Sequence, residues 1–95
     1  MSEIEITRED GPAGGRYVTV INGDEAEMTY SRAGSTRIII DHTGVPDSMR
    51  GMGVGKKLVE AAVMDARSEG FKIIPLCPFA KVTLEKHPEW QDAVQ

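Results

Sequence analysis

Ninety-five residues are expected to form one domain, residues 1–95, near the small end of what folds by burying apolar surface alone. Hydrophobic residues make up 40% and charged residues 27%, the composition of a soluble globular chain and not of a disordered one. The net charge of −4 argues against non-specific nucleic-acid binding, whose affinity rests on neutralising phosphates. The start, Met1-Ser2-Glu3-Ile4-Glu5, has no basic segment followed by an apolar run, so no secretory signal is expected. No apolar stretch approaches the roughly 20 residues of a membrane span, so no membrane partner is expected. Cys77 is the single cysteine, which forbids an internal disulfide and makes a reducing, cytoplasmic compartment the expected home. No metal site is expected.

In chain order, Ile4 and Ile6 alternate with charged residues and predict a short first strand. Asp10-Gly11-Pro12-Ala13-Gly14-Gly15 is turn chemistry. Tyr17-Val18-Thr19-Val20-Ile21 is β-branched and aromatic, a second strand, and Asn22-Gly23-Asp24 signals a hairpin turn. Ala26, Met28 and Tyr30 alternate with polar neighbours in a third strand. A turn at Ala33-Gly34-Ser35 leads into a fourth, from about Thr36 to His42, with Ile38-Ile39-Ile40 at its centre. Four sequential strands with tight turns predict an antiparallel meander.

The rest of the chain is organised around Arg50-Gly51-Met52-Gly53-Val54-Gly55-Lys56-Lys57-Leu58. Three alternate glycines leave the backbone without Cβ atoms, so its N–H groups can approach a ligand closely. A helical pattern follows from Leu58 to Glu69 and points its free N–H groups and positive dipole end at the same spot. Strand, glycine loop and helix start make an anion site suited to a phosphate or pyrophosphate, with Arg50, Lys56 and Lys57 adding positive charge. The same residues also read as a glycine-rich turn with solvated lysines, and the pattern alone leaves both readings open.

At 100° per residue, Leu58, Val59, Ala62, Val63 and Ala66 fall within an arc of roughly 140°, a broad face for packing on a sheet. Gly70 ends the helix as a C′ residue would. Phe71-Lys72-Ile73-Ile74-Pro75-Leu76 is a fifth strand, and the helical crossover predicts that it runs parallel to the fourth. Pro75 cannot donate a ladder hydrogen bond, so pairing should break near it. Pro78 suits the first position of a last helix, running to about Lys86 and closed before Pro88.

Two phosphate motifs are excluded. A Walker A loop needs Lys-Ser or Lys-Thr after its last glycine, whereas Gly55 is followed by Lys56-Lys57. A Rossmann fingerprint needs Gly-x-Gly-x-x-Gly after the first strand of a βαβ unit; here Gly51-x-Gly53-x-Gly55 follows four antiparallel strands. The stretch instead resembles the acetyl-CoA loop of the GNAT superfamily of N-acetyltransferases, Gln/Arg-x-x-Gly-x-Gly/Ala, with Arg50, Gly53 and Gly55 at the matching positions. The chain is most similar to a branch of small, single-domain predicted acetyltransferases. His42-Thr43 with Val45-Pro46 before the loop, and Leu76-Cys77-Pro78-Phe79 with His87-Pro88-Glu89-Trp90 after it, look like that branch's signatures.

The resemblance implies an α+β fold: a mixed, mostly antiparallel five-stranded sheet with two helices, the minimal GNAT arrangement β-β-β-β-α-β-α. It implies acetyl-CoA as the cofactor, with its pyrophosphate on the backbone N–H groups from Met52 to Lys56 and its phosphates within reach of Lys56 and Lys57. The whole stretch Arg50, Gly51, Met52, Gly53, Val54, Gly55, Lys56 and Lys57 is thus the candidate cofactor site. It further implies that the fourth and fifth strands splay, that the pantetheine arm lies in the gap, and that the thioester reaches His42 and the start of the last helix.

Three side chains are chemical candidates. Cys77 is expected at a helix N-cap, where dipole and free N–H groups favour thiolate, so it can accept acetyl and pass it on; an inert, buried thiol with a raised pKa is the competing reading. His42 can act as general base for an amine or can fix the Val45-Pro46 turn. His87, in the last turn of its helix, is expected to cap it. Two departures from the superfamily stand out. Many members carry a tyrosine in the last helix as general acid, and Phe79-Ala80-Lys81-Val82-Thr83-Leu84-Glu85-Lys86 has none. Typical members also have helices between the first two strands, where this chain has only Gly11 to Gly15, so the acceptor side should be open. The expected function is transfer of acetyl from acetyl-CoA to a primary amine on a protein or other bulky acceptor. The alternative is a non-catalytic module or partner subunit that holds acyl-CoA. The acceptor's identity and the oligomeric state are not legible.

Overall fold

The computed structural model describes residues 4–95. Five strands form one sheet in the order β1 (Thr7–Asp10), β2 (Gly14–Ile21), β3 (Asp24–Arg32), β4 (Arg37–Gly44), β5 (Lys72–Pro75). The first four are an antiparallel meander, and β5 joins β4 in parallel after the helix α1 (Val54–Glu69). A second helix, α2 (Pro78–Glu85), and 3-10 turns over Asp47–Met49 and Pro88–Ala93 complete the fold. This is the expected five-stranded α+β arrangement. Among the described residues no helix is long and apolar enough to cross a membrane.

Side-chain alternation decides which face is covered. Tyr17 and Thr19 of β2 pair with Met28 and Ala26 of β3, and all four are buried on one face with Ile38, Ile40 and Ile73. Onto that face α1 lays Leu58, Val59, Ala62, Val63 and Ala66, the five residues its periodicity selects. Arg16, Glu25 and Glu27 point to the other face, where Arg16 is ion-paired with Glu9, Glu25 and Glu27. Asn22 and Gly23, both at positive φ, make the two-residue turn between β2 and β3. Gly70, at φ 81, closes α1 by donating to the Ala66 carbonyl. Arg8 fastens the edge strand to α1: its guanidinium bonds the Tyr30 hydroxyl, Asp65 and Glu69.

Four expectations shift. Ile4 and Ile6 pack on the core but precede β1, whose residues Thr7–Asp10 are mostly exposed and are held by pairing with β2. The turn is shorter than Asp10–Gly15, because Gly14 and Gly15 already pair with Ser31 and Tyr30. The helix begins at Val54, one turn before Leu58, with Gly53 as its left-handed N-cap. His87 lies beyond α2, starts the Pro88–Ala93 turn and stacks on Trp90 with ring centroids 4.2 Å apart, so it does not cap α2.

Within β4 the register slips once. Tyr30 pairs with Ile40 and Thr29 with His42, which leaves Asp41 as a bulged residue. The bulge inverts the alternation beyond it: Ile38 and Ile40 face the core, Asp41 and His42 are exposed on the open face, and Thr43, opposite buried Met28, turns back toward the helices.

Candidate active site

β4 and β5 pair only as far as Ile40 and Pro75, and the last link across is the Cys77 N–H donating to the Ile40 carbonyl at 3.0 Å. Pro75 brings no N–H, and β4 runs on to Gly44 along β3 alone. The strands therefore part at the point where α2 begins. A cavity of about 480 Å³ lies beside it, lined by Thr43 of β4, by Arg50, Gly51 and Gly53 of the loop, and by Gly55 and Phe79 of the two helices.

The loop end is built to receive an anion. Gly51 and Gly53 have φ of 81° and 74°, a conformation that suits glycine, and a Cβ on either would meet nothing within 4 Å. Helix bonding starts with the Lys57 N–H donating to the Gly53 carbonyl at 3.0 Å. Among the described residues the N–H groups of Val54, Gly55 and Lys56 have no backbone acceptor, and no side chain caps the helix. They stand at the positive end of a helix of 16 residues. Arg50 is 78% exposed beside Asp47, Lys57 pairs with Glu60 at 3.4 Å, and Lys56 is exposed. The chemistry of this set fits a diphosphate.

Two members of the stretch differ from expectation. The Met52 N–H donates to the Met49 carbonyl at 3.3 Å, so it is not a free donor for a ligand. Gly55 is helical, and a Cβ on it would collide with the Phe79 ring. Its lack of a side chain therefore serves the contact between α1 and α2, whatever its N–H does.

Cys77 stands at the α2 N-cap with Pro78 in the first turn, where the sequence places it. It is 5% exposed and its sulfur lies 3.4 Å from the Thr43 hydroxyl. Burial pushes the thiol up, but the Thr43 hydroxyl and the N–H groups of Ala80, Phe79 and Thr43 outweigh it and hold the thiol below its ordinary value. The approach of the Phe79 and Ala80 N–H groups falls short of a regular cap hydrogen bond, yet they still favour negative charge on the sulfur. His42 is exposed on the far side of β4; among the described residues its ring has no hydrogen-bond partner, so it does not fix the Val45-Pro46 turn. The structure brings Cys77 to Thr43 and leaves His42 on the opposite face of the same strand end. Thr43 and Phe79 fall within the signature-like stretches His42-Thr43 and Leu76-Cys77-Pro78-Phe79, but those stretches do not mark their side chains as lining a cavity: one is placed by the Asp41 bulge, the other by its contact with Gly55.

A family model described as GCN5-related N-acetyl-transferase matches residues 16–93. Protein NATD1 of Xenopus tropicalis is 31% identical over 70 residues, which cover 72% of this chain and 64% of that protein. Protein NATD1 of Homo sapiens is 29% identical over 75 residues, 77% of this chain and 66% of the relative. The match thus spans a little less than two thirds of either relative. The solution structure of a Staphylococcus aureus protein, described as GCN5-like and proposed to be an N-acetyltransferase, superposes with a TM-score of 0.72 at 43% identity. That alignment covers 100% of this chain and 91% of the other.

Proposed function

This chain belongs to the GCN5-related N-acetyltransferase family, and we propose that it transfers acetyl from acetyl-CoA to a primary amine on a bulky acceptor such as a protein. The observation that carries this reading is the cradle: three free N–H groups at a helix start and two open left-handed glycines with flanking cations, beside a cavity that Arg50, Gly51, Gly53, Val54 and Gly55 line together with Thr43 of β4. Val54, Gly55 and Lys56 would hold the diphosphate through their amides, with Arg50, Lys56 and Lys57 adding charge. The thioester, when bound, supplies an activated acetyl group whose leaving group is a thiolate.

The acceptor is reached from the other side. His42 stands on the uncovered sheet face, at the strand end where β4 and β5 separate, and it can take a proton from an amine arriving there. The hairpin between β1 and β2 builds no wall over that face. An open approach favours an amine presented on a large partner over a small one that needs enclosure. The absence of a tyrosine in α2 favours modest catalytic power, and loss of turnover with retained CoA binding would mark the chain as an acyl-CoA-binding module. Calorimetry with CoA and acetyl-CoA, followed by an acceptor panel of free amines, peptides and intact proteins, tests the reading. Rapid acetylation of small polyamines with no preference for polypeptides would refute the bulky acceptor.

A further inference from the structure

When an acetyl group leaves a thioester for an amine, the sulfur departs as a thiolate and needs a proton or a hydrogen bond. Only two cavity-lining side chains are polar among the described residues, Thr43 and Arg50. Arg50 is 78% exposed and engaged with Asp47 at the loop end, the end suited to phosphate. Thr43 lines the cavity from β4, as one of the first inward side chains past the last β4–β5 pair, and its hydroxyl lies 3.4 Å from the Cys77 sulfur. Cys77 itself does not line the cavity and is 5% exposed behind that hydroxyl.

Resting on the reading of this cavity as the acetyl-CoA site, we propose that Thr43 is the proton donor to the departing sulfur and that Cys77 resupplies it. The bonds balance as follows. The acetyl carbon–sulfur bond breaks as the carbon–nitrogen bond forms. The Thr43 O–H bond breaks and an S–H bond forms on CoA, while the Cys77 S–H bond breaks and its proton moves to Thr43 Oγ1. The amine's surplus proton leaves on the open face, and Cys77 is reprotonated from solvent through Thr43 after CoA departs. A threonine hydroxyl alone is far too weak an acid, but one that is refilled as it donates is not limited by its own pKa. The thiol is matched to the task, because donor and leaving group are both thiols of similar acidity. The thiolate left on Cys77 is stabilised by the same N–H groups at the start of α2. The alternative, acetyl capture by Cys77, requires the Thr43 side chain to move aside.

The variants Thr43→Val, Thr43→Ser, Cys77→Ala and Cys77→Ser test the relay, with CoA affinity and thermal stability measured alongside. Thr43→Val keeps the shape and should cut kcat about 100-fold, while Thr43→Ser restores most of it. Cys77→Ser keeps a hydrogen bond but not the acidity, so it should fall as far as Cys77→Ala, and Thr43→Val/Cys77→Ala should be no worse than either single change. A readout that needs no acceptor is the ultraviolet titration of bound CoA in the Cys77→Ala background, where its thiol is the only one present. Adding Thr43→Val should raise the pKa of that thiol, because a donor to the thiolate has gone. Full activity of Thr43→Val or Cys77→Ser, or an unmoved CoA thiol, overturns the relay. So does an adduct of ~42 Da on Cys77 after incubation with acetyl-CoA alone, which assigns a nucleophile instead. If the unaltered protein binds no CoA, the cavity assignment itself fails, and calorimetry shows that before any variant is made.

Discussion

Replacing Gly55 with alanine separates two reasons for a glycine in the first turn of α1. In an unobstructed helix the change would stabilise by about 0.5–1 kcal/mol, because alanine loses less backbone entropy. Here the new Cβ would run into the Phe79 ring, and forcing a methyl into a packed contact costs about 1–3 kcal/mol. The net expectation is destabilisation by about 0.5–2 kcal/mol. Phe79 is 44% exposed, so Phe79→Ala should cost less than a core truncation, about 1–2 kcal/mol. In that background the Cβ has room, and Gly55→Ala should become neutral or stabilising. Urea unfolding of the four proteins, analysed as a double-mutant cycle, reads the coupling directly. Stabilisation by Gly55→Ala in the unaltered protein, with no coupling to Phe79, would refute the packing role and return Gly55 to the ligand alone.

Neutralising Arg50 or Lys56 to glutamine should weaken CoA binding by about 2- to 5-fold each, since exposed charges near a helix start contribute about 0.3–1 kcal/mol. The difference should shrink in high salt, and a salt-independent loss would contradict an electrostatic role. His42→Ala should lower turnover on peptide amines about 100-fold with CoA affinity unchanged, and unaltered turnover would remove it as the base. Hydrogen bonding from Tyr30, with Arg32 and Arg8 nearby, holds the Asp10 carboxyl below its usual value, and Arg16 and Arg67 do the same for Glu9 and Asp92. A depressed carboxyl stabilises the fold above its unfolded pKa and loses that contribution as pH falls through the folded one. Thermal unfolding should therefore be level between about pH 5 and 7 and drop below about pH 4, and a drop that Asp10→Asn leaves wholly unchanged would exclude that residue's share.

How much was legible follows the period of the pattern. β2 and β4 are β-branched runs, β3 alternates, and α1 repeats its apolar residues at helical spacing, so the existence of all four and the buried faces of β3 and α1 could be read directly. Cys77 at a helix start was legible because Pro78 announces the first turn. β1 was displaced because its own residues are polar and the strand is held by a partner, while the apolar signal sits just before it at Ile4 and Ile6. The first turn of α1 was hidden because Gly55 is glycine for a contact with a residue 24 positions later. The Asp41 bulge has no local signature either, yet it decides that His42 takes the open face and Thr43 the covered one. A site assembled across such a slip can be located from the loop motif, but its side chains cannot be oriented from it.

The most direct test is to follow the backbone amides of isotope-labelled protein by NMR while acetyl-CoA is added. The account predicts that Gly53, Val54, Gly55 and Lys56 move most, that Thr43 and Cys77 move with them, and that the free pantetheine arm without its diphosphate leaves the first group still. Shifts confined to another surface, or none at millimolar cofactor, would contradict it.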